Sequence, residues 1–379
     1  LRTPDFLLIP GLFHKAPVAY GGFFWALSRE GTLYRLSPRT GAKPRVLGSI
    51  PSSTAAFSQF ALTTILVADS PATGPVLIAA DTASIYAASL LDGRVHTLFT
   101  AESSAAIAVN PTVEESPYFR GVCAGNDFYA FVQRSGGDMS LFVRPFAREG
   151  ATEAPVRFAS APYLGPVTKG SGIGLCSSSD LWIYDTGANT TLTFALPGSF
   201  QPYVQRPLAV HVPLGHVPFV IDSAKGWRAW IGGEMNGQPG VLEVQMDRNH
   251  YKFTAAERDA TICQVSSGGL CLNTGGALTM FGAAQPPWRI TSVEAGMPVG
   301  ASGSWLAHFQ RRDGSMQTVN VFGDGIEPFS ASFEDASCDE DSCCGLFLVD
   351  GRHLLVSYPS VPRDPNQPIG LKFAHWNLQ

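Results

Sequence analysis

The sequence predicts an all-β chain, and three observations carry the prediction. Short runs of β-branched, aromatic and aliphatic residues alternate with Gly, Pro, Asp and Ser turns along all 379 residues. That is the pattern of antiparallel strands joined by hairpins. Eight of these runs recur about every 48 residues, the length of one four-stranded repeat. The last repeat is one strand short, while the first ten residues hold one strand to spare. Together these predict a single β-propeller over 1–379, of about eight four-stranded blades, alternatively seven. The strand within residues 1–10 completes the last blade, and closing the ring leaves no bare sheet edge between first and last blades.

The clearest unit is residues 23–50. FFWALS is apolar, REG turns the chain, TLYRLS alternates with period two, PRTGAKP is a loop and RVLGSI is a third short strand. The eight recurring cores are LYRLS (33–37), IYAAS (85–89), LFVRP (141–145), LWIYD (181–185), VLEVQ (241–245), ALTMF (277–281), MQTVN (316–320) and LKFAH (371–375). Companion strands surround each, as LTTILVADS, VLIAAD and RVHTLFT do in the second repeat. The final repeat has only GLFLVDG, HLLVSY and LKFAHWN, and DFLLIP is the spare strand. Long loops are expected at 110–117, 198–206, 333–344 and 359–368. No long stretch carries a 3.6-residue apolar period, so no long helix is expected.

Composition narrows the function classes. Apolar residues make up 45% of the chain and charged residues only 15%, which fits sheets and tight turns better than solvated helices. A net charge of −5 argues against a nucleic-acid partner, which needs a basic patch. No apolar run is long enough for a membrane-spanning helix. The sequence starts at Leu1 rather than Met, so the native N-terminus is expected to be missing and the compartment is not legible there. Seven cysteines, an odd and sparse number, do not form the pattern of a secreted disulfide framework. The sequon Asn189-Thr190-Thr191 points the other way.

GTLYRLSPRTG (31–41), SIYAASLLDG (84–93) and DLWIYDTG (180–187) resemble the repeat of quinoprotein-like propellers. The resemblance implies a propeller fold. It covers three of the eight repeats, and the Trp that this family carries after Thr-Gly is absent from all three.

Chemistry-bearing residues are few. Cys338, Cys343 and Cys344 lie with three carboxylates in CDEDSCC. No cofactor is expected: ordinary thiols are the first reading of this loop and a local disulfide the second, with zinc on the soft thiolates, or Ca2+ on the carboxylates without a D-x-D-x-D-G loop, as the lesser alternatives. Cys263 and Cys271 flank a Ser-Ser-Gly-Gly turn as cross-strand neighbours or core thiols, and Cys123 and Cys176 read as core thiols within apolar strands. His211 and His216 flank a turn and are a candidate metal pair. No P-loop, G-x-S-x-G elbow or H-E-x-x-H occurs. Asp69, Asp81, Asp127, Asp222 and Glu234 fall near strand ends, where they serve as turn residues or as hydrolase or lyase carboxylates around a central channel.

Trp25, Trp227, Trp230 and Trp305 fall on second strands and are expected to pack in the core. Tyr118, Phe119, Phe200, Tyr203 and Trp288 lie near turns and are the expected recognition surface. The expected function is a non-enzymatic scaffold that binds a protein partner through rim loops. An enzyme with channel carboxylates is the alternative, and a carbohydrate-binding propeller the third reading.

Overall fold

The computed structural model describes residues 5–10, 17–28, 30–37, 42–50, 64–71, 73–80, 84–100, 119–135, 138–146, 156–158, 163–164, 172–185, 190–195, 204–207, 210–211, 219–221, 228–245, 250–256, 260–264, 270–274, 277–281, 288–291, 297–302, 305–312, 316–323, 326–333, 345–349, 353–360, 366 and 370–377. Among these residues every regular element is a strand.

Strand β1 (Asp5–Pro10) belongs to the eighth sheet. The first sheet is β2 (Val18–Tyr20), β3 (Phe23–Leu27), β4 (Thr32–Leu36) and β5 (Arg45–Ser49). The second is β6 (Thr64–Ser70), β7 (Gly74–Ala80), β8 (Ser84–Ser89) and β9 (Val95–Thr100). The third is β10 (Phe119–Ala124), β11 (Phe128–Ser135), β12 (Asp138–Pro145) and β13 (Val156–Phe158). The fourth has five strands: β14 (Tyr163–Leu164), β15 (Gly172–Cys176), β16 (Asp180–Asp185), β17 (Thr190–Ala195) and β18 (Val204–Pro207). The fifth is β19 (Phe219–Ile221), β20 (Arg228–Met235), β21 (Gln238–Gln245) and β22 (His250–Ala255). The sixth is β23 (Thr261–Gln264), β24 (Leu270–Asn273), β25 (Ala277–Phe281) and β26 (Trp288–Thr291). The seventh is β27 (Met297–Ser302), β28 (Trp305–Arg312), β29 (Met316–Gly323) and β30 (Ile326–Phe333). The eighth combines β31 (Gly345–Val349), β32 (His353–Ser360) and β33 (Gly370–Asn377) with β1, in the order β1-β33-β32-β31.

Each of the eight recurring cores lies on a strand of a different sheet. The spare N-terminal strand pairs antiparallel with β33 from Asp5↔His375 to Pro10↔Gly370, filling the fourth place in the final sheet.

The strands in the middle of the sheets read as continuous apolar runs because both of their faces are covered. In β7 the residues from Val76 to Ala80 are all buried, although successive side chains point to opposite faces. By contrast β5 and β9, at the sheet edges, mix half-buried and exposed residues and bury none fully. Polar residues on these edges keep the open hydrogen-bonding rows from templating aggregation.

The chain divides into two compact units: 1–47, 238–243 and 253–379, and 48–237 with 244–252. In the first unit, Phe24, Ala26 and Leu36 of the first sheet pack against Ile9, Leu355, Leu371 and Phe373 of the eighth. Strand β31 of the eighth sheet also lies beside β27 of the seventh. In the second unit, Val76, Ile78, Ile85 and Ala87 of the second sheet pack against Val122, Tyr129 and Phe131 of the third.

Several expectations change. The first sheet gains β2, a three-residue strand too short to stand out as a periodic run. The loop expected at 198–206 ends in β18, which pairs with the Thr-rich β17. Its Pro207 is tolerated because β18 is an edge strand. The loop expected at 359–368 begins later, since β32 runs through Pro359 to Ser360.

Candidate functional site

The first sheet builds a compact aromatic and cationic patch at a hairpin tip. Tyr20 and Phe23 are joined by Gly21 and Gly22, with φ of 60° and 75°. Two consecutive positive φ angles make the two-residue turn that matches the twist of paired strands, and glycine adopts them without strain. The register pairs Tyr20 with Phe23 and Val18 with Trp25, and Trp25 with Arg35 on the next strand. Opposed residues share a face, so Tyr20, Phe23, Trp25 and Arg35 stand together. Phe24, Ala26, Tyr34 and Leu36 face the other way, into the core.

The patch is anchored from below. Trp25 is buried, and its indole Nε1–H donates to the Tyr20 carbonyl at 3.0 Å. Phe23 meets Trp25 edge to face, with ring centroids 6.3 Å apart. The Arg35 guanidinium lies 4.6 Å from the centre of the Phe23 ring. That cation–π contact fixes a charged fork over an aromatic face at the surface. Tyr20, Phe23 and Arg35 are half-buried, and the two glycines at the tip are exposed.

A second feature lies in the eighth sheet. His353 Nδ1 and His375 Nε2 are 3.0 Å apart. The strands place these residues diagonally, since His353 pairs with Asn377 and His375 with Leu355. His375 is 7% exposed and His353 half-buried. Among the described residues no three His, Cys, Asp or Glu side chains gather as a cation site; these two imidazoles form a pair.

The expected recognition aromatics are not brought together. Phe119 opens β10 and Trp288 opens β26, opposite Met280, so both are strand residues. Tyr118, Phe200 and Tyr203 lie outside the described residues, as do Cys338, Cys343 and Cys344. Of the expected carboxylates, Asp69, Asp127 and Glu234 are exposed at strand ends and turns, while Asp81 and Asp222 lie outside the described residues. His211 exchanges backbone hydrogen bonds with Glu234, and His216 lies outside the described residues. Trp25 and Trp230 are buried, as expected of core residues.

The cysteines bring one correction. Cys123 and Cys176, expected as separate core thiols, are joined in a disulfide with Cα atoms 5.6 Å apart. They face each other because β10 and β15 belong to neighbouring sheets of the second unit. Beside the bridge the Asn126 amide donates to the Ser178 carbonyl at 2.7 Å. Cys263 and Cys271 are directly opposed across β23 and β24.

The residues that sequence reasoning missed are Tyr20, Phe23, Arg35 and the histidine pair. The Tyr-Gly-Gly-Phe turn was the available signal for the first three.

No family model matches the chain, and no curated protein matches it. Among solved structures, it is similar to a chain of the crystal structure of a mitotic checkpoint complex. The likeness is at 11% identity and a TM-score of 0.39, over 83% of this chain and 90% of that one.

Proposed function

We propose that the eight sheets are the blades of one β-propeller spanning 1–379, closed by β1, and that the chain is a non-enzymatic scaffold that binds a protein partner through the loops and hairpin tips at its rim. The pairing of β1 with β33 supports the closure, because it brings the two ends of the chain into one sheet. Burial of both faces of strands such as β7 supports recognition by tips and loops, since little of a central strand is left to offer.

The observation that carries the binding reading is the patch of Tyr20, Phe23 and Arg35. Aromatic and arginine side chains dominate the energetics of protein interfaces, above all where they are held rigid before binding. Here the glycine turn, the Trp25 hydrogen bond and the Arg35–Phe23 stack hold them. Tyr118, Phe119, Phe200, Tyr203 and Trp288 extend this reading to other rim positions.

The test places a photo-crosslinking residue at Tyr20 and, as a control, at exposed Leu91 on the turn after β8. Crosslinking to one protein from Tyr20 that is lost in Phe23→Ala/Arg35→Glu supports the reading. Equal crosslinking in the substituted chain overturns it.

A further inference from the structure

The first sheet gathers its cations at one end. Phe24 pairs with Leu36 and Leu27 with Leu33, so the end of β4 lies beside the start of β3, next to the Gly21-Gly22 tip. Strand β5 neighbours β4, and the connection 37–44 is too short for a parallel crossover. β5 therefore runs back antiparallel and begins at that same end. Tyr20, Phe23 and Arg35 share the end with Lys43, Arg45 and Val46, all three of which are exposed. Within 17–47 the one acidic residue is Glu30, in the β3–β4 turn at the opposite end. Resting on the reading of this patch as a binding surface, we propose that the segment it takes from its partner is an acidic peptide with apolar side chains among its carboxylates.

Three observations carry the assignment. The first is charge. The whole chain carries −5, yet this end of the first sheet presents Arg35, Lys43 and Arg45 without an acidic residue anywhere in 31–47. Among the described residues no carboxylate forms an ion pair with any of the three. The second is the geometry of Arg35. Its guanidinium lies 4.6 Å from the centre of the Phe23 ring. Stacking uses the flat face of the group and leaves its in-plane N–H donors, which match the two oxygens of a carboxylate. The third is the apolar share of the surface. Val46 is 58% exposed, and Tyr20 and Phe23 stand half-buried beside the cations. A peptide with both carboxylates and apolar side chains uses both halves of the patch. A nucleic acid would bring many phosphates against a chain of negative net charge, which favours the short acidic peptide instead.

One exposed ion pair adds little by itself. The expected behaviour is collective: three cations steer the acidic segment in, and the aromatic and aliphatic contacts hold it. Binding should therefore weaken as salt rises.

The test uses the full chain and fluorescence anisotropy of three labelled probes. One is a Glu-rich peptide with interspersed Leu and Phe, the second is the same peptide with every Glu replaced by Gln, and the third is an oligodeoxythymidine. The Glu peptide is expected to bind roughly tenfold or more tighter than the Gln peptide, with the difference shrinking between about 50 and about 200 mM salt. Arg45→Glu should weaken the Glu peptide roughly fivefold or more, while the same charge reversal at exposed Arg94, on the turn after β8, should leave it unchanged. Both positions are exposed, so neither variant is expected to disturb the fold, and melting curves check this. The proposal is overturned if the Glu and Gln peptides bind alike or neither binds. Equal weakening in Arg94→Glu also overturns it, because net charge alone would then account for binding. So does tighter, Arg45-dependent binding of the oligonucleotide, which would make the partner a nucleic acid. Crosslinking from Tyr20 that needs Phe23 and Arg35 but survives in Arg45→Glu and under excess Glu peptide removes the acidic partner and leaves the binding surface standing. Crosslinking indifferent to Phe23→Ala/Arg35→Glu removes the surface itself.

Discussion

Cys123 of β10 is bonded to Cys176 of β15, joining the third and fourth sheets across 53 residues of chain. The bridge lies beside the Asn126–Ser178 backbone hydrogen bond, so a covalent and a polar link hold the same pair of hairpins. Closing a loop of this length removes much of the freedom of the unfolded chain. Replacing both cysteines by Ala is expected to cost about 2–4 kcal/mol. Denaturant unfolding with and without reductant measures it, and alkylation of the unreduced chain should leave both residues unlabelled. Such a bond persists where the surroundings are oxidising, so equal stability with and without reductant would contradict the structural role.

The pairing of β1 depends on the absence of a side chain at Gly370. A Cβ there would meet the Ile9 carbonyl oxygen and lie 2.7 Å from Leu8 Cδ1. Gly370→Ala is therefore expected to push β1 from β33 at a cost of about 1–3 kcal/mol. Hydrogen exchange should quicken from Leu7 to Ile9 and stay unchanged in β7. Unchanged exchange in β1 would show that the strand tolerates the added methyl group.

Tyr129 gives the second unit a defined alkaline limit. It is buried against Phe131 and Phe146, and its hydroxyl donates to the Leu98 carbonyl at 3.1 Å. Burial raises its pKa above the ordinary phenol value, while nearby Arg144 partly opposes the rise. The folded state thus holds the phenolic proton more tightly than the unfolded state does. Its contribution is complete below the unfolded value of about 10 and is lost as pH rises through the higher folded value. Tyr129→Phe is expected to cost about 1 kcal/mol at neutral pH through the lost hydrogen bond. It should also flatten the fall in stability above pH ~10. An alkaline limb unchanged in Tyr129→Phe would contradict the assignment.

Much of the fold was legible because its signal is local. LYRLS and LKFAH alternate within five residues, and the spare DFLLIP found its place by counting strands. What escaped depends on pairing between distant segments. β2 has three residues, too few to show a period, and β14 has two. The Cys123–Cys176 bond spans successive repeats, yet a trace of it is present: each cysteine stands four residues before an Asp, Asp127 or Asp180, so the two hold equivalent repeat positions. Superposing the repeats would have set them on neighbouring sheets. The histidine pair left no such trace, because the contact of His353 with His375 is set by the register of β32 on β33. The Arg35–Phe23 stack likewise needs the register of β4 on β3.

The most direct test of the binding reading compares the unsubstituted chain with Phe23→Ala/Arg35→Glu, immobilised side by side and exposed to the same cellular extract. Melting curves first establish that both are folded, which the half-exposed positions of the two residues favour. The account predicts at least one protein retained by the unsubstituted chain and depleted tenfold or more on the substituted one, a difference of about 1.4 kcal/mol or greater. Equal retention of every bound protein on both chains would contradict it and remove the patch from the binding surface.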